Sequence, residues 1–300
     1  MDIFVELDNA AERKEIVNEL GILGEASQHF RTAFTVQRIV VPDDFDAKVN
    51  ELQGSANYRS TPGMEPVSRT IPTREGYVLL FHPMLYTSSA YDNHVRYAIY
   101  WHEFTLLVNR SRFPVLLRHK LDRFANYFVN LYQLYDHYCA ARRSFEFRDA
   151  ILSSVLKEQL SSTARTDLER SLAGSLALLR NKAEYYDWIR FQIMEFREHG
   201  NVNDFLEQVR DKITRLSFSL IYAYATMDHY ADLRHHESLI ADAPMLNGNT
   251  RAFLEYLRLK YQEDAVDLTD GIDLMEALWA NFGVRFVDGE RLMECEVLDI

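Results

Sequence analysis

The hydrophobic pattern changes period along the chain. Near the N-terminus Asp8 to Leu23 repeats apolar residues with helical spacing, predicting a short amphipathic helix. Phe34-Thr-Val-Gln-Arg-Ile-Val-Val41 is instead rich in β-branched residues and stops at Pro42, as a strand does. Asp43 or Asp44 can cap a short helix running to Leu52. Gly54 to Arg74 is polar and holds Pro62, Pro66 and Pro72, so it reads as a loop with room for one short extended segment. Gly76 to Phe81 reads as a buried strand ending at His82-Pro83. From Asp92 the helical period takes over. Val95, Ala98, Ile99, His102, Leu106 and Asn109 fall on one side of a helix that stops before Pro114.

Beyond Pro114 the pattern predicts long helices over Leu116 to Gln159, Thr166 to Glu198, Val202 to His235 and Thr250 to Glu263, with a shorter one over Gly271 to Asn281. Gly200 and the Pro244-to-Asn249 segment punctuate them. Val284 to Met293, with Asp288-Gly289 at its centre, carries a hairpin signal. The fold class is therefore α+β and predominantly α-helical, with short strands first, a large helical body and a C-terminal β-hairpin. The boundary falls at residue 148, between a unit over 1–148 and a helical body over 149–300, and the two are expected to pack as one unit.

Composition narrows the function. Of 300 residues, 47% are hydrophobic and 26% charged, the balance of a globular chain rather than a disordered one. A net charge of −12 argues against a nucleic-acid partner, which needs clustered Lys and Arg. From Glu255 to Ile300 there are 12 acidic and 4 basic residues, a local net of −8. This reads as a solvated acidic face, or alternatively as a docking surface for a basic partner. Cys139 and Cys295 form no CxxC knuckle and no disulfide framework, which fits a reducing compartment. Met1 to Glu19 lacks an apolar signal core, and the longest apolar run, Leu216 to Met227, contains two serines and is too short for a bilayer. A cytoplasmic protein without a membrane partner is expected.

The candidate chemistry lies in Trp101-His102-Glu103-Phe104-Thr105-Leu106. A zinc peptidase helix carries His-Glu-x-x-His, with two imidazoles four apart gripping one metal and the Glu acting as general base. Here Leu106 stands where the second His would be, and leucine cannot bind zinc. A second frame lies downstream: Asp136-His137-Tyr138-Cys139-Ala140-Ala141-Arg142 is similar to the Asp-Glu-Tyr-x-Ala-Asp-Arg pattern of many Glu-zincins. His137 replaces its zinc-binding Glu and Ala141 its supporting Asp. Together with the strand Tyr77 to Phe81 and the helix after it, the segment from 34 to 148 resembles the zincin metallopeptidases. The resemblance implies an active-type helix, a later helix carrying the third ligand, and a strand edge lining a cleft. It implies Zn²⁺ as the cofactor if the site binds metal, and no cofactor if it does not. His102 and His137 are the candidate metal ligands, with His94 or His82 as further donors, and Glu103 is the candidate general base.

Three functional readings follow. The first is a zincin-like protein with a degenerate site, non-catalytic and regulatory, binding a protein partner through the old cleft or the acidic tail. The second is an active peptidase with a rearranged site, in which His102 and His137 hold the metal, Glu103 activates water and strand Tyr77 to Phe81 holds a peptide substrate by strand addition. The third is a helical interaction protein unrelated to peptidases. Other groupings read as structural. His229, His235, His236 and Glu237 lie on different faces of a helix end. The stripes Tyr185-Tyr186-Trp188-Phe191, Phe218-Tyr222-Tyr224 and Tyr127-Tyr132-Tyr135-Tyr138 read as helix packing. Arg142, Arg143 and Arg148 make a basic patch too small for nucleic acid.

Overall fold

The structure, a computed structural model, describes residues 2–27, 36–60, 66–113, 123–153, 160–180, 182–240, 247–288 and 293–297. The chain forms two compact units that do not follow a boundary at 148. One holds residues 1–112 with 143–164, and the other 113–142 with 165–300. The chain is mostly helical, with a four-stranded mixed sheet in the first unit and a two-stranded hairpin in the second. No described helix is long and apolar enough to cross a membrane.

The first unit begins with β1 (Asp2–Val5), a strand the charged N-terminus hides, followed by α1 (Ala10–Ser27) and β2 (Val36–Val41). Asn9 caps α1. Its Oδ1 accepts from the Ala11 N–H at 3.0 Å, and its Nδ2 donates to Glu12 at 2.9 Å. Next come α2 (Phe45–Gln53), β3 (Ser68–Pro72), β4 (Tyr77–Phe81), the single turn α3 (Met84–Thr87) and α4 (Asn93–Arg112). Asp44 caps α2 by accepting from the Ala47 N–H, and Gly54 ends it at φ 61°, a left-handed geometry that favours glycine. The polar segment before Arg74 thus contains a complete strand.

The sheet order is β1-β2-β4-β3. β1 and β4 both run parallel to β2, and β3 is the antiparallel edge. Alternation along each strand sorts the side chains. Ile39, Val41, Leu79 and Phe81 join Leu20, Tyr100, Phe104 and Leu107 in one cluster, with α1 and α4. Val40, Val78, Leu80 and Ile71 form a second cluster on the opposite face with Phe45 and Val49 of α2. A polar bolt ties α1 to α4. The Arg96 guanidinium donates to both Glu19 oxygens at 2.8 and 2.7 Å, Tyr100 donates to Glu19 at 2.7 Å, and the Tyr86 and Tyr100 hydroxyls lie 2.7 Å apart. Burial pushes both phenols up, so the two hydroxyls stay protonated and able to donate across neutral pH. Phe147, from the last part of α5 (Arg123–Ile151), stacks on Trp101. Arg148 is buried beside Asp149, so the expected basic patch is not a surface feature.

The second unit takes residues 123–142 of α5 and most of α6 (Ser162–Arg180), with α7 (Lys182–His199), α8 (Val202–His229), a 3-10 helix (Ala231–Ile240), α9 (Gly248–Gln262), α10 (Ile272–Ala280), β5 (Val284–Asp288) and β6 (Met293–Val297). The segment expected as one helix over Val202 to His235 is divided at Tyr230, where α8 gives way to the 3-10 helix. No glycine or proline marks that break, so periodicity alone reads through it. The tyrosines of α5 are core, as their spacing suggested, and their hydroxyls fix distant backbone. Tyr127 accepts from the Phe286 N–H at 2.8 Å, Tyr132 accepts from the Leu268 N–H at 2.9 Å, and Tyr135 donates to the Lys260 carbonyl at 2.8 Å. The acidic C-terminal segment is not an appendage, because Leu257, Leu268, Leu278, Trp279 and Phe286 lie in the core. Some of its charge is paired, as in Lys260–Asp270 at 2.9 Å and Arg285–Glu276 at 2.7 Å. Gly271 lies under the Tyr256 ring, where a Cβ would come within 2.5 Å. That close approach lets the Tyr256 hydroxyl reach Asp270 at 2.7 Å.

Asp228, with its side chain 2% exposed, is the charged centre of this unit. Tyr138 donates to it at 2.7 Å, and the Arg258 Nε lies 3.0 and 2.8 Å from its two oxygens. Removing a buried carboxylate strands its partners, so Asp228→Ala should cost about 3–5 kcal/mol. Urea unfolding followed by circular dichroism checks this, and an unchanged midpoint would show that the pair contributes no stability.

Candidate functional site

The site is built where α4 crosses the face of the sheet. Residues Tyr97, Tyr100, Phe104 and Leu107 turn inward on α4 against β2 and β4, which sets the rotation of the helix and carries His102 and Glu103 toward β3. Ser68 and Thr70 are two apart on β3, so their side chains share one face. They pair with Phe81 and Leu79, whose side chains face α4. Both hydroxyls donate to Glu103, Ser68 Oγ to Oε1 at 2.9 Å and Thr70 Oγ1 to Oε2 at 3.1 Å. His102 Nδ1 stands 3.6 Å from Glu103 Oε1.

Burial pushes the Glu103 carboxyl up, but His102 and the two hydroxyls outweigh it and hold the group below its ordinary value. A general base for hydrolysis works best with a pKa near the operating pH, and this shift runs the other way. The hydroxyls donate to the carboxylate, as acceptor chemistry for an ionised Glu requires. Glu103 therefore fastens the edge strand to α4.

The other expected ligands do not converge on His102 within this unit. His94 is eight residues earlier on the same helix, about 12 Å along its axis, too far to share one ion. Its Nδ1 is buried with no hydrogen-bond partner among the described residues. His82 follows Phe81 and so faces the opposite side of the sheet, its ring 4.9 Å from Phe45. Its Nδ1 accepts from the Met84 N–H at 3.1 Å. Leu106 is buried, 5% exposed. His137 belongs to the second unit, where its Nδ1 lies 3.0 Å from the Tyr222 hydroxyl and its ring meets Phe218 edge-on. The rest of the downstream frame is likewise built into that unit's interior. Asp136, Tyr138 and Ala141 are buried, and Arg142 lies over the Tyr261 ring.

Zinc needs three protein donors in a catalytic site. Among the described residues of the first unit, His102 offers one imidazole and Glu103 a carboxylate already holding two hydroxyls, and this set does not fit the metal. Among all described residues, the only three His, Cys, Asp or Glu side chains with ligating atoms within 4.8 Å of one another are Glu195, Glu198 and His199, at the end of α7 in the second unit.

The strand expected to hold a peptide backbone, Tyr77 to Phe81, cannot add a strand, because β2 and β3 occupy its two edges. β1 and β3 are the two outer strands, neither with a strand on its outer side among the described residues, and β3 is the one whose side chains hold Glu103. The Thr73 N–H donates to the Gly76 carbonyl and the His82 N–H to the Val67 carbonyl. By antiparallel alternation the backbone N–H and C=O of Ser68 and Thr70 then point away from β4. These two residues were missed in a proline-bounded polar segment. Two hydroxyl side chains at i and i+2, before an apolar residue and a proline, were the available signal.

The remaining groupings resolve simply. Glu237 accepts from the Tyr224 hydroxyl at 2.9 Å, and the His235 and His236 rings lie against one another. Cys139 is buried and in no disulfide among the described residues. The side chains of Tyr185, Tyr186 and Cys295 lie outside the described residues. Phe191, expected to pack, is instead 54% exposed. Comparison with protein-family models, with curated proteins and with solved structures gives no match.

A carboxyl held below its ordinary value of 4.5 stabilises the fold fully above that value and loses the contribution as pH falls through the lowered one. Glu103→Gln should therefore cost about 1–3 kcal/mol at neutral pH, by leaving the half-buried Ser68 and Thr70 hydroxyls poorly partnered. The gap between wild type and variant should shrink in acid. A gap that stays constant from neutral pH down to pH ~3 would contradict an ionised Glu103 as the fastener.

Proposed function

We propose that this chain is a zincin-like protein whose degenerate site no longer hydrolyses peptides, and that its first unit holds an extended segment of a protein partner along the outer edge of β3. The observation that carries this reading is the engagement of Glu103 by Ser68 and Thr70. The residue that would be the general base fixes the strand that would hold the peptide. A mixed sheet with an antiparallel edge strand, followed by a helix bearing His-Glu, supports the zincin-like part of the proposal. Leucine at 106 and the separation of His82 and His94 from His102 support loss of the metal. The outward backbone groups of Ser68 and Thr70 supply the hydrogen bonds that strand addition uses.

Two measurements test the two halves. Purified wild type and His102→Ala should both lack stoichiometric zinc by mass spectrometry. Near-stoichiometric zinc lost in His102→Ala, with peptide hydrolysis abolished by Glu103→Gln, would replace this reading with an active peptidase. For the edge, Thr70→Pro and Thr70→Val both remove the hydroxyl, but only proline removes the outward N–H, which an edge strand tolerates. Partner proteins co-purified with wild type should be retained by Thr70→Val and lost by Thr70→Pro. Equal retention by both would exclude the β3 edge as the docking line.

A further inference from the structure

The second unit has a different exposed feature, on α7. At 3.6 residues per turn, Asp187, Phe191, Met194, Glu195 and Glu198 fall within an arc of about 100° on one side of that helix. Arg190 and Arg197 lie outside the arc. Phe191 is 54% and Met194 59% exposed, a cost in water that scattered surface residues rarely combine on one stripe. Beside the stripe, between the end of α7 and the start of α8, is a cavity of about 180 Å³. Phe191, Phe196 and Phe205 wall it, with Glu195 and His199 on its polar side. A cavity of about 150 Å³ suffices for a benzene ring, so this one takes one large apolar side chain. Of the carboxylates beside it, Asp187 pairs with Arg190 at 3.7 Å, and among the described residues Glu195 pairs with a histidine, His199, at 3.6 Å.

We infer that the α7–α8 corner is a docking groove for an amphipathic helix of a partner protein, one that inserts a large apolar side chain among Phe191, Phe196 and Phe205 and sets Lys or Arg, one turn away, against Glu195 and Glu198. Charge chooses the occupant. An apolar stripe flanked by three acids selects an apolar face flanked by bases and repels an acidic one. Phe and Met are side-chain types that interfaces favour, and a groove with an apolar anchor is the usual way a helix is received. This site is independent of the β3 edge, and its variants leave Ser68, Thr70 and Glu103 untouched.

The test uses the full chain and a fluorescein-labelled amphipathic helix of Leu, Lys and Ala, with leucines on one face and lysines beside them. A second peptide replaces each Lys with Glu. Fluorescence anisotropy should show saturable binding of the first peptide and none of the second. The exposed pair Phe191→Ser/Met194→Ser should weaken binding by about tenfold or more, and so should Glu195→Lys/Glu198→Lys, each with an unchanged circular dichroism spectrum. Equal binding of both peptides, or binding indifferent to both variants, would overturn the inference. Sedimentation showing a dimer that Phe191→Ser dissolves would also overturn it, by making a second copy the occupant.

Discussion

The two-sidedness of the four-stranded sheet governs the first unit. One residue of register decides which side chain meets α4 and which meets α2. Phe81 is turned toward α4, so His82 must face Phe45. Ser68 pairs with Phe81, so its hydroxyl, and that of Thr70 two residues on, must face the helix that bears Glu103. The apolar packing therefore precedes the polar site and dictates its membership. Burying a carboxylate is costly unless its lone pairs are satisfied, and the edge strand supplies the donors.

The second unit solves its polar problem differently. Its long helices bring tyrosines inward, where the rings fill volume and each hydroxyl must find a partner. Those of α5 find backbone groups more than a hundred residues away, as well as Asp228. Asp228 in turn holds Arg258, so one carboxylate joins α5, α8 and α9. A helical body pinned by such bonds has less freedom to repack than one held by leucines alone.

What was legible in the sequence was local. The strands at 36–41 and 77–81, the Asp44 cap, α4 and the first arm of the terminal hairpin follow from nearby residues, whereas its return strand, Met293–Val297, lies beyond the expected span of Val284 to Met293. β1 was not, because four residues beside a charged stretch become a strand only by pairing Asp2–Val5 with Arg38–Val41. β3 was legible only as room for a short extended segment among prolines, and Ser68 and Thr70 were not singled out within it. Periodicity placed His102 and Glu103 on a helix but could not say that the carboxylate would be claimed by a strand more than thirty residues earlier. The exposure of Phe191 was equally invisible, since an aromatic stripe reads as core whether or not the fold covers it.

The first unit is discontinuous in sequence, and this bears on how the chain is made. Its sheet and α4 are complete by residue 112, but Phe147, which covers Trp101, and the rest of 143–164 belong to the same unit. Between them runs a segment that belongs to the other unit. On a ribosome, which releases the chain from the N-terminus at about 5–20 residues per second, the early sheet must wait several seconds with Trp101 uncovered. During that interval the nascent protein presents a bare indole on the same unit as the open strand edge, an apolar surface that a chaperone would recognise and that Phe147 covers in the finished fold.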